Sequence, residues 1–224
     1  VSQLLTGGEA LSVKHVNTAL SALKETQLIN GYGPTENTTF TCCYAIPRKV
    51  DEGLTSIPIG RPIKNARVYV LNPQLQPVPI GVVGELYIGG DGLARGYLNR
   101  PGLTAERFLA DPFREEPGAK IYKTGDLVRY LPDGNIDFVG RIDHQVKIRG
   151  FRIELGEIEA LLATHPAVKA SVIDVQTGEG GTKHLIAYVV AAQNSKAFTS
   201  GLRIFLQAKL PDYMIPSVFI VLDT

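Results

Sequence analysis

The chain has 224 residues, of which 44% are hydrophobic and 20% are charged, proportions typical of one large or two unequal globular domains. Its 23 basic and 22 acidic residues leave a net charge of +1, which excludes a strongly basic surface for nucleic acid or an anionic membrane. No apolar run approaches the roughly 20 residues that span a bilayer, and no secretory signal opens the sequence. We therefore expect a cytoplasmic protein with neither a membrane nor a nucleic-acid partner.

Cys42 and Cys43 are adjacent, and neighbouring cysteines rarely meet the geometry of a disulfide. We expect two reduced thiols on a buried strand. The four histidines lack the spacing of metal ligands. Both ends of the sequence lie in apolar stretches, so we expect a segment of a longer chain.

The first part of the chain predicts two short strands around one helix. A strand is expected over residues 3–6, and a helix over 12–24 has Val13, Val16, Leu20 and Leu23 on one face. A second strand over 27–30 leads into a Gly-Tyr-Gly-Pro turn, and residues 45–65 are expected to form a surface loop.

From Arg67 onward the pattern predicts a β-rich subdomain with one short helix at 104–109. The expected strands cover 67–71, 84–88, 121–123, 127–130 and 135–139. The last two flank Leu131-Pro132-Asp133-Gly134, a typical turn sequence.

After Arg141 the pattern predicts a small α+β unit, with a domain boundary at Ile142–Asp143. It begins with a hairpin around Gly150, formed by residues 145–149 and 151–154. Helices are expected at 156–164 and 201–210, strands at 168–175, 184–190 and 218–222, and a flexible turn at 177–181.

Asn30-Gly31-Tyr32-Gly33-Pro34-Thr35-Glu36 is the densest polar segment. Its two glycines allow close backbone approach to a ligand, Thr35 offers a hydroxyl to a phosphate, and Glu36 is a hard oxygen ligand suited to Mg²⁺. Tyr32 offers a ring on which a purine could stack. The alternative is an ordinary turn.

Two further segments carry polar or glycine-rich patterns. Tyr122-Lys123-Thr124-Gly125-Asp126 ends on a carboxylate that can accept both hydroxyls of a ribose, although a turn cap is the simpler interpretation. The glycines of 84–98 favour tight turns over a phosphate cradle, because no Walker or GxGxxG arrangement is present.

These segments, in this order, resemble the core motifs of adenylation domains of nonribosomal peptide synthetases, which belong to the adenylate-forming superfamily. Leu5–Ala10, 140–154 and Leu210–Pro216 match further motifs, so the resemblance covers the whole chain. It implies an α/β and α+β fold. Residues 1–142 would be the C-terminal part of the large adenylate-forming core, with a sheet and a small β-rich subdomain, and residues 143–224 a small α+β C-terminal domain.

The resemblance implies a site for ATP and Mg²⁺. The matching positions are Asn30, Gly31 and Tyr32 beside the adenine, Thr35 at a phosphate, Glu36 at Mg²⁺, Asp126 at the ribose hydroxyls, Phe138 as a second aromatic on the adenine, and Arg141 at the ribose and phosphates. Of these, Thr35, Glu36 and Arg141 would take part in catalysis.

The resemblance also implies an amino-acid substrate and a carrier partner. The pocket positions are Leu5, Gly7, Gly31, Thr39 and Phe40, an apolar set that resembles pockets for valine or a similar aliphatic residue. Asp143 matches the hinge, and Lys147 with Gly150 matches the loop that faces the phosphopantetheine arm of a peptidyl carrier protein. Neighbouring synthetase modules are the implied wider partners.

The family's phosphate loop, its amine-binding Asp and its catalytic Lys lie outside this sequence, so we expect the polypeptide alone to be inactive. Two alternatives stay open. One is an acyl- or aryl-CoA ligase of the same superfamily, against which Asp143 and Leu155 argue. The other is a noncatalytic fragment that docks a carrier protein.

Overall fold

The structure is a computed structural model that describes residues 1–51, 54, 56–143, 145–178, 182–192 and 198–223. The chain divides into two compact units, Val1–Asp143 and residues 144–224. Within the described residues the strands form four sheets. The expected α/β and α+β architecture is confirmed. Among these residues, no helix is both long and apolar enough to cross a membrane.

The first sheet carries the Gly-Tyr-Gly-Pro segment. Its strands, in spatial order, are β1 (Gln3–Gly7), β2 (Gln27–Tyr32), β3 (Cys42–Ala45) and β4 (Arg61–Pro62). β1 and β2 are parallel and are joined by helix α1 (Val13–Ala22), whose Val16 and Leu20 are buried one turn apart. The predicted first helix and first two strands are confirmed. Strand β4 lies inside the stretch predicted as loop.

The second sheet forms the β-rich subdomain. Its strands are β5 (Ala66–Leu71), β6 (Gly84–Gly90), β7 (Phe108–Ala110), β8 (Lys120–Tyr130) and β9 (Ile136–Arg141). β8 is central, because it pairs with β6, β7 and β9. The turn between β8 and β9 is confirmed by a bond from Gly134 N to Leu131 O at 2.9 Å and by a φ of +82° at Gly134.

Two elements of this region differ from the sequence prediction. Helix α2 covers Pro101–Arg107 rather than 104–109, because Pro101 starts the helix and Phe108 already pairs with Tyr122 as a strand. β8 is one strand rather than two. Gly125 has a φ of +77°, which is irregular for a strand. β8 nevertheless stays continuous, because it is paired with β6 on one side and with β9 on the other.

One core cluster joins the two sheets of the first unit. Its buried members are Tyr32, Cys42, Ile59, Val70, Leu86, Ile88, Val128 and Ile136. Cys42 is buried on β3 and both cysteines are free, as predicted. Tyr32 reaches this core from the end of β2, so the cluster fixes the point where the glycine-rich turn begins.

The second unit is a small α+β structure. Its elements are β10 (Val146–Ile148), β11 (Phe151–Ile153), α3 (Leu155–Ala163), β12 (Val168–Thr177), β13 (Lys183–Ala191), α4 (Phe198–Gln207) and β14 (Val218–Leu222). β12, β13 and β14 form one sheet, and β10 and β11 form the predicted hairpin. Ile158, Leu162, Leu202 and Leu206 are fully buried in its core. Residues 179–181 of the predicted flexible turn lie outside the described residues.

Candidate active site

The residues predicted to line an amino-acid pocket meet where β1 and β2 run in parallel. Gly7 pairs with Gly31, and a Cβ on Gly7 would lie only 2.0 Å from the Gly31 carbonyl oxygen. A Cβ on Gly31 would lie 2.6 Å from Phe40 Cε1 and 3.3 Å from Leu5 Cδ1. These four residues are therefore neighbours, and the two glycines are needed because a side chain at either position would overlap its surroundings.

The turn after β2 folds back onto its own backbone. A Cβ on Gly33 would lie 2.6 Å from Thr39 O and 2.7 Å from Thr41 N. Thr41 N in turn donates to the Tyr32 carbonyl at 2.7 Å. Between these contacts, Thr35–Asn37 form a short 3-10 helix. Thr39, the fifth predicted pocket residue, is exposed on this turn. The absence of a side chain at Gly33 therefore allows the turn to fold back on its own backbone.

Asn30 and Phe138, both predicted beside an adenine, contact protein groups. Asn30 is 4% exposed, and its Nδ2 donates to Pro58 O at 2.8 Å and to Ile57 O at 3.4 Å. Phe138 is partly buried and packs against the core cluster of the two sheets, as Tyr130 does. The structure thus shows Asn30 holding a loop, and the adenine roles of both residues stay predictions.

Asp126 is the centre of a buried polar cluster. It is 6% exposed on β8 and lies opposite Arg141 of β9 in the strand register. Arg141 Nη1 donates to Asp126 Oδ1 at 2.5 Å, and the Tyr32 hydroxyl donates to Oδ2. The Asp126 N–H donates to Thr124 Oγ1 at 2.9 Å. Two predicted site residues on separate segments, Tyr32 and Arg141, thus converge on one carboxylate.

Arg141 also binds the predicted hinge residue. Its Nε donates to Asp143 Oδ1 at 2.6 Å and its Nη2 to Asp143 Oδ2 at 2.8 Å, a bidentate pair. Nη2 donates as well to the Thr124 carbonyl at 3.0 Å. A Cβ on Gly125 would lie 2.8 Å from Arg141 Nη2, so a glycine leaves room for the guanidinium. One cation thereby joins Asp126 to Asp143.

The pKa of Tyr32 is raised well above its ordinary value of 10.0. Burial is the main cause, because it disfavours the phenolate, and the Asp126 charge and hydrogen bond add to the effect. Tyr32 therefore stays a hydrogen-bond donor to Asp126 across the neutral range. Its ring is 8% exposed in the core cluster, and its predicted stacking on a purine stays a prediction.

Glu36 is the centre of a second buried cluster. It is 8% exposed in the 3-10 helix, and the Tyr97 hydroxyl donates to its Oε1 at 2.6 Å. The Tyr122 hydroxyl lies 3.4 Å from that of Tyr97. Burial raises the pKa of Tyr97, and its hydrogen bond to Glu36 raises it further. The adjacent Thr35 is exposed, so its hydroxyl is accessible.

Sequence reasoning missed both tyrosines of the Glu36 cluster. Tyr97 lies 61 residues from Glu36 in the chain, in a segment whose glycines favour tight turns. Tyr122 opens the Tyr-Lys-Thr-Gly-Asp segment, in which only the terminal carboxylate was singled out. A contact between residues so far apart in the chain leaves no local pattern in the sequence.

The donor set at Glu36 fits Mg²⁺ bound together with phosphate. Among the described residues, no group of three or more His, Cys, Asp or Glu side chains could hold a metal ion by itself. Mg²⁺ is typically bound by one or two carboxylates, water and substrate phosphates rather than by a protein cage. Glu36 supplies one such carboxylate, and the exposed residue Thr35 precedes it in the chain.

Asp126 fits a ribose diol. Each carboxylate oxygen has two acceptor positions, and the contacts above use one on Oδ1 and one on Oδ2. By this count, the Asp126 carboxylate can accept two further hydrogen bonds.

In the second unit, the predicted carrier-arm residues lie on the hairpin. Gly150 has a φ of +80° and Arg149 a φ of +53°, as the two-residue turn of a tight hairpin requires. Both are exposed. Lys147 lies on β10, and its carbonyl accepts a bond from Lys183 Nζ at 3.3 Å. The hairpin geometry is confirmed, while its contact with a carrier stays a prediction.

Known proteins resemble this chain throughout its length. Residues 1–98 match the family described as AMP-binding enzyme. A linear gramicidin synthase of Brevibacillus parabrevis is 59% identical over 223 residues, covering 100% of this chain. The crystal structure of IdnL1 superposes with a TM-score of 0.88 at 31% identity over 100% of this chain. PA1221, described as an NRPS protein containing adenylation and PCP domains, gives a TM-score of 0.82 at 34% identity over 100% of the chain.

The chain spans only part of each of these proteins. It covers 4% of the gramicidin synthase, 45% of the IdnL1 chain and 44% of the PA1221 chain. The shared region contains the paired glycines Gly7 and Gly31 and both carboxylate clusters.

Proposed function

This chain belongs to the adenylation domains of nonribosomal peptide synthetases, and we propose that it forms the C-terminal portion of a domain that activates an amino acid. In the proposed reaction the amino-acid carboxylate attacks the α-phosphate of ATP, giving aminoacyl-AMP and pyrophosphate. The aminoacyl group then passes to the phosphopantetheine thiol of a carrier protein, which releases AMP. The observation that carries the proposal is Asp126, a buried carboxylate held by both Tyr32 and Arg141.

Asp126 is proposed to hold the nucleotide by accepting the two ribose hydroxyls. Arg141 fixes one oxygen of the carboxylate, and Tyr32 fixes the second. A preorganised acceptor needs no rearrangement when the ribose arrives, which favours binding. The roles of Asn30, Gly31 and Phe138 beside the adenine belong to the same proposal.

Glu36 is proposed to meet Mg²⁺, and the exposed Thr35 hydroxyl a phosphate oxygen. When bound, Mg²⁺ offsets the charge that develops on the phosphate oxygens. Arg141 is proposed to approach the same phosphates from its position between Asp126 and Asp143. Positioned charges of this kind supply most of the catalysis in phosphate chemistry.

An aliphatic amino acid such as valine is the proposed substrate. Leu5 and Phe40 flank Gly31 at contact distance, so the wall they form is apolar and carries no charge to pair with a basic or acidic side chain. Apolar pockets discriminate one methylene by only about 1–3 kcal/mol. We therefore expect valine to be preferred over its neighbours in size by a modest factor.

A peptidyl carrier protein is the proposed partner. Support comes from the exposed hairpin turn at Gly150 and from PA1221, which contains adenylation and PCP domains. Asp143 is the proposed hinge residue, and neighbouring modules of a larger synthetase are the proposed wider partners. Lys147 is proposed to face the arm of the carrier.

Amino-acid-dependent exchange of pyrophosphate into ATP tests the proposal, measured on the complete protein that carries this chain. We expect exchange with valine or a close aliphatic analogue, and loading of a carrier protein rather than of free CoA. Exchange that depends on an acid without an amine, or thioester formation on free CoA, would favour a CoA ligase. Carrier binding without any exchange would favour the docking fragment.

The substitution Asp126→Asn tests the proposed nucleotide role of Asp126 directly. One hydrogen bond to a charged group contributes about 1.5–3 kcal/mol, so the KM for ATP should rise about tenfold or more. Asp137→Asn is the matched control, because Asp137 is a buried carboxylate paired with Arg129 on the neighbouring strand. An equal rise in both variants would contradict a nucleotide role for Asp126.

A further inference from the structure

The glycine-rich segment from Gly92 to Tyr97 wraps around the 3-10 helix that carries Glu36. Ala94 N donates to the Glu36 carbonyl at 2.8 Å. Thr38 Oγ1 donates to the Gly92 carbonyl at 2.8 Å. The Tyr97 hydroxyl completes the contact on the Glu36 side chain at 2.6 Å. The segment therefore holds both the backbone and the carboxylate of this residue.

Tyr97 is itself held firmly. Its N–H donates to Thr104 Oγ1 at 2.9 Å, which ties it to helix α2. A Cβ on the preceding Gly96 would lie 2.4 Å from Thr104 Cγ2, and Gly96 has a φ of +147°, so a glycine is required for this approach. The Tyr97 ring meets Phe108 edge to face, with centroids 5.5 Å apart. The hydroxyl is thus presented from a fixed position.

Tyr122 supports the same hydroxyl from the central strand of the second sheet. It is fully buried, its ring lies 5.2 Å from that of Phe108, and its hydroxyl is 3.4 Å from that of Tyr97. The Tyr122 hydroxyl, the Tyr97 hydroxyl and the Glu36 carboxylate oxygen are therefore linked by two consecutive contacts. A phenol has one hydrogen to donate, and Tyr97 donates it to Glu36. The Tyr122 hydroxyl contacts the same Tyr97 oxygen, which it can then approach only as a donor.

We propose that Tyr97 is a positioning residue for Glu36, setting the orientation in which that carboxylate meets the metal ion that accompanies the nucleotide. The inference rests on the proposed function, in which Glu36 is the Mg²⁺ ligand. By fixing Oε1 with a hydrogen bond, Tyr97 reduces the rotational freedom that the carboxylate would otherwise lose on binding the metal. Groups that orient a metal ligand in this way typically change metal affinity by about 10–100-fold when removed.

The test replaces Tyr97 by Phe in the complete protein, which removes the hydroxyl and keeps the ring against Phe108. Binding of Mn²⁺ in the presence of α,β-methylene-ATP, followed by the electron paramagnetic resonance signal of free Mn²⁺, is the direct readout. We expect about tenfold weaker Mn²⁺ binding. Pyrophosphate exchange should need a correspondingly higher Mg²⁺ concentration for its half-maximal rate and should recover at saturating Mg²⁺.

Tyr69→Phe is the matched control. The Tyr69 hydroxyl donates to Asp111 Oδ2 at 3.1 Å, so this variant also removes a tyrosine–carboxylate bond in the first unit. Its Mn²⁺ affinity should equal that of the wild type. Unchanged Mn²⁺ affinity in Tyr97→Phe, in a wild type that does catalyse exchange, overturns the inference. A wild type without exchange for any amino acid overturns the proposed function instead.

Thr104→Val provides a second variant should Tyr97→Phe fail to fold. It removes the acceptor of the Tyr97 N–H while leaving Tyr97 and Glu36 in the chain. We expect a shift of the Mn²⁺ midpoint in the same direction, smaller than the roughly 10–100-fold typical when a group that directly orients a metal ligand is removed. A midpoint equal to that of the wild type in the folded Thr104→Val protein would contradict positioning through Tyr97.

Discussion

Asp126 and Glu36 are two buried carboxylates of the same unit, and each accepts a bond from a tyrosine hydroxyl. They differ in a group that lies next to that bond. Asp126 is joined to the guanidinium of Arg141, whereas the tyrosine hydroxyl that binds Glu36 lies 3.4 Å from the hydroxyl of a second tyrosine, Tyr122. A guanidinium offsets the negative charge, while a hydroxyl orients the carboxylate without adding positive charge. The first arrangement suits binding of neutral sugar hydroxyls, and the second suits a ligand that meets a cation.

The largest effect is expected from removing the cation of the Asp126 cluster. Arg141→Met leaves Asp126 and Asp143 without their shared guanidinium, and breaking a buried pair by removing one partner costs about 3–5 kcal/mol. The free energy of unfolding from urea titration measures this loss. Arg129→Met is the control, because the Arg129 side chain in its pair with Asp137 is 42% exposed and Asp137 keeps a hydrogen bond from Ser56, so a smaller loss is expected. Equal losses would show that the two pairs are energetically alike.

A smaller effect is expected at the turn that carries Glu36. Gly33→Ala would place a Cβ 2.6 Å from Thr39 O and 2.8 Å from Phe40 Cα, and backbone cannot move aside as a flexible side chain can. Overpacking of this kind costs about 1–3 kcal/mol in the free energy of unfolding. Gly140→Ala, where nothing lies within 4 Å of the added Cβ, should stay within about 0.5 kcal/mol of the wild type. A neutral Gly33→Ala would show that the turn is looser than its contacts indicate.

The smallest effect concerns alkaline pH. The pKa of Tyr32 is raised by burial and by Asp126, and that of Tyr97 by burial and by its bond to Glu36. Above about pH 10 an unfolded chain loses the tyrosine proton that the folded chain retains, so the free energy of unfolding should be steady below that pH and fall above it. Urea titrations at a series of pH values measure the slope.

Tyr32→Phe and Tyr97→Phe should each make the alkaline decline shallower, because each removes one of the protons that the folded state retains. Tyrosinate absorbance in the near ultraviolet provides an independent check on which group ionises. A Tyr32→Phe protein with the same decline as the wild type would indicate that this hydroxyl ionises normally. The comparison of the two variants shows which tyrosine contributes more to the alkaline decline.

The sequence predicts the positions of most elements but not the contacts between distant ones. Helix α1 and the strands around it follow from local periodicity, and the tight turn at Gly134 follows from its Pro-Asp-Gly pattern. Likewise, Glu36 and Asp126 could be singled out because carboxylates beside glycines are visible in the chain. Tyr32 and Asp126 are 94 residues apart, however, so their hydrogen bond has no local signal.

The errors in the prediction have the same origin. Gly125 and Asp126 are poor strand formers, and the sequence therefore predicts a break where β8 is continuous. Pairing with neighbours on both sides overrides that local preference. At Asn30 the structure adds a contact that the sequence does not show: its amide donates to the carbonyl of Pro58, because only the folded loop brings that group within reach. The role of Asn30 beside an adenine stays a prediction.

The continuity of β8 has a consequence for recombining segments between related domains. Tyr122 pairs with Phe108, and four residues later Asp126 pairs with Arg141. The two clusters are therefore four residues apart on one strand, on either side of the irregularity in its pairing with β6. An insertion or deletion between them would shift one pairing out of register while leaving the other in place. Chimeric domains should therefore exchange residues 120–130 as a block, with junctions in the turns on either side.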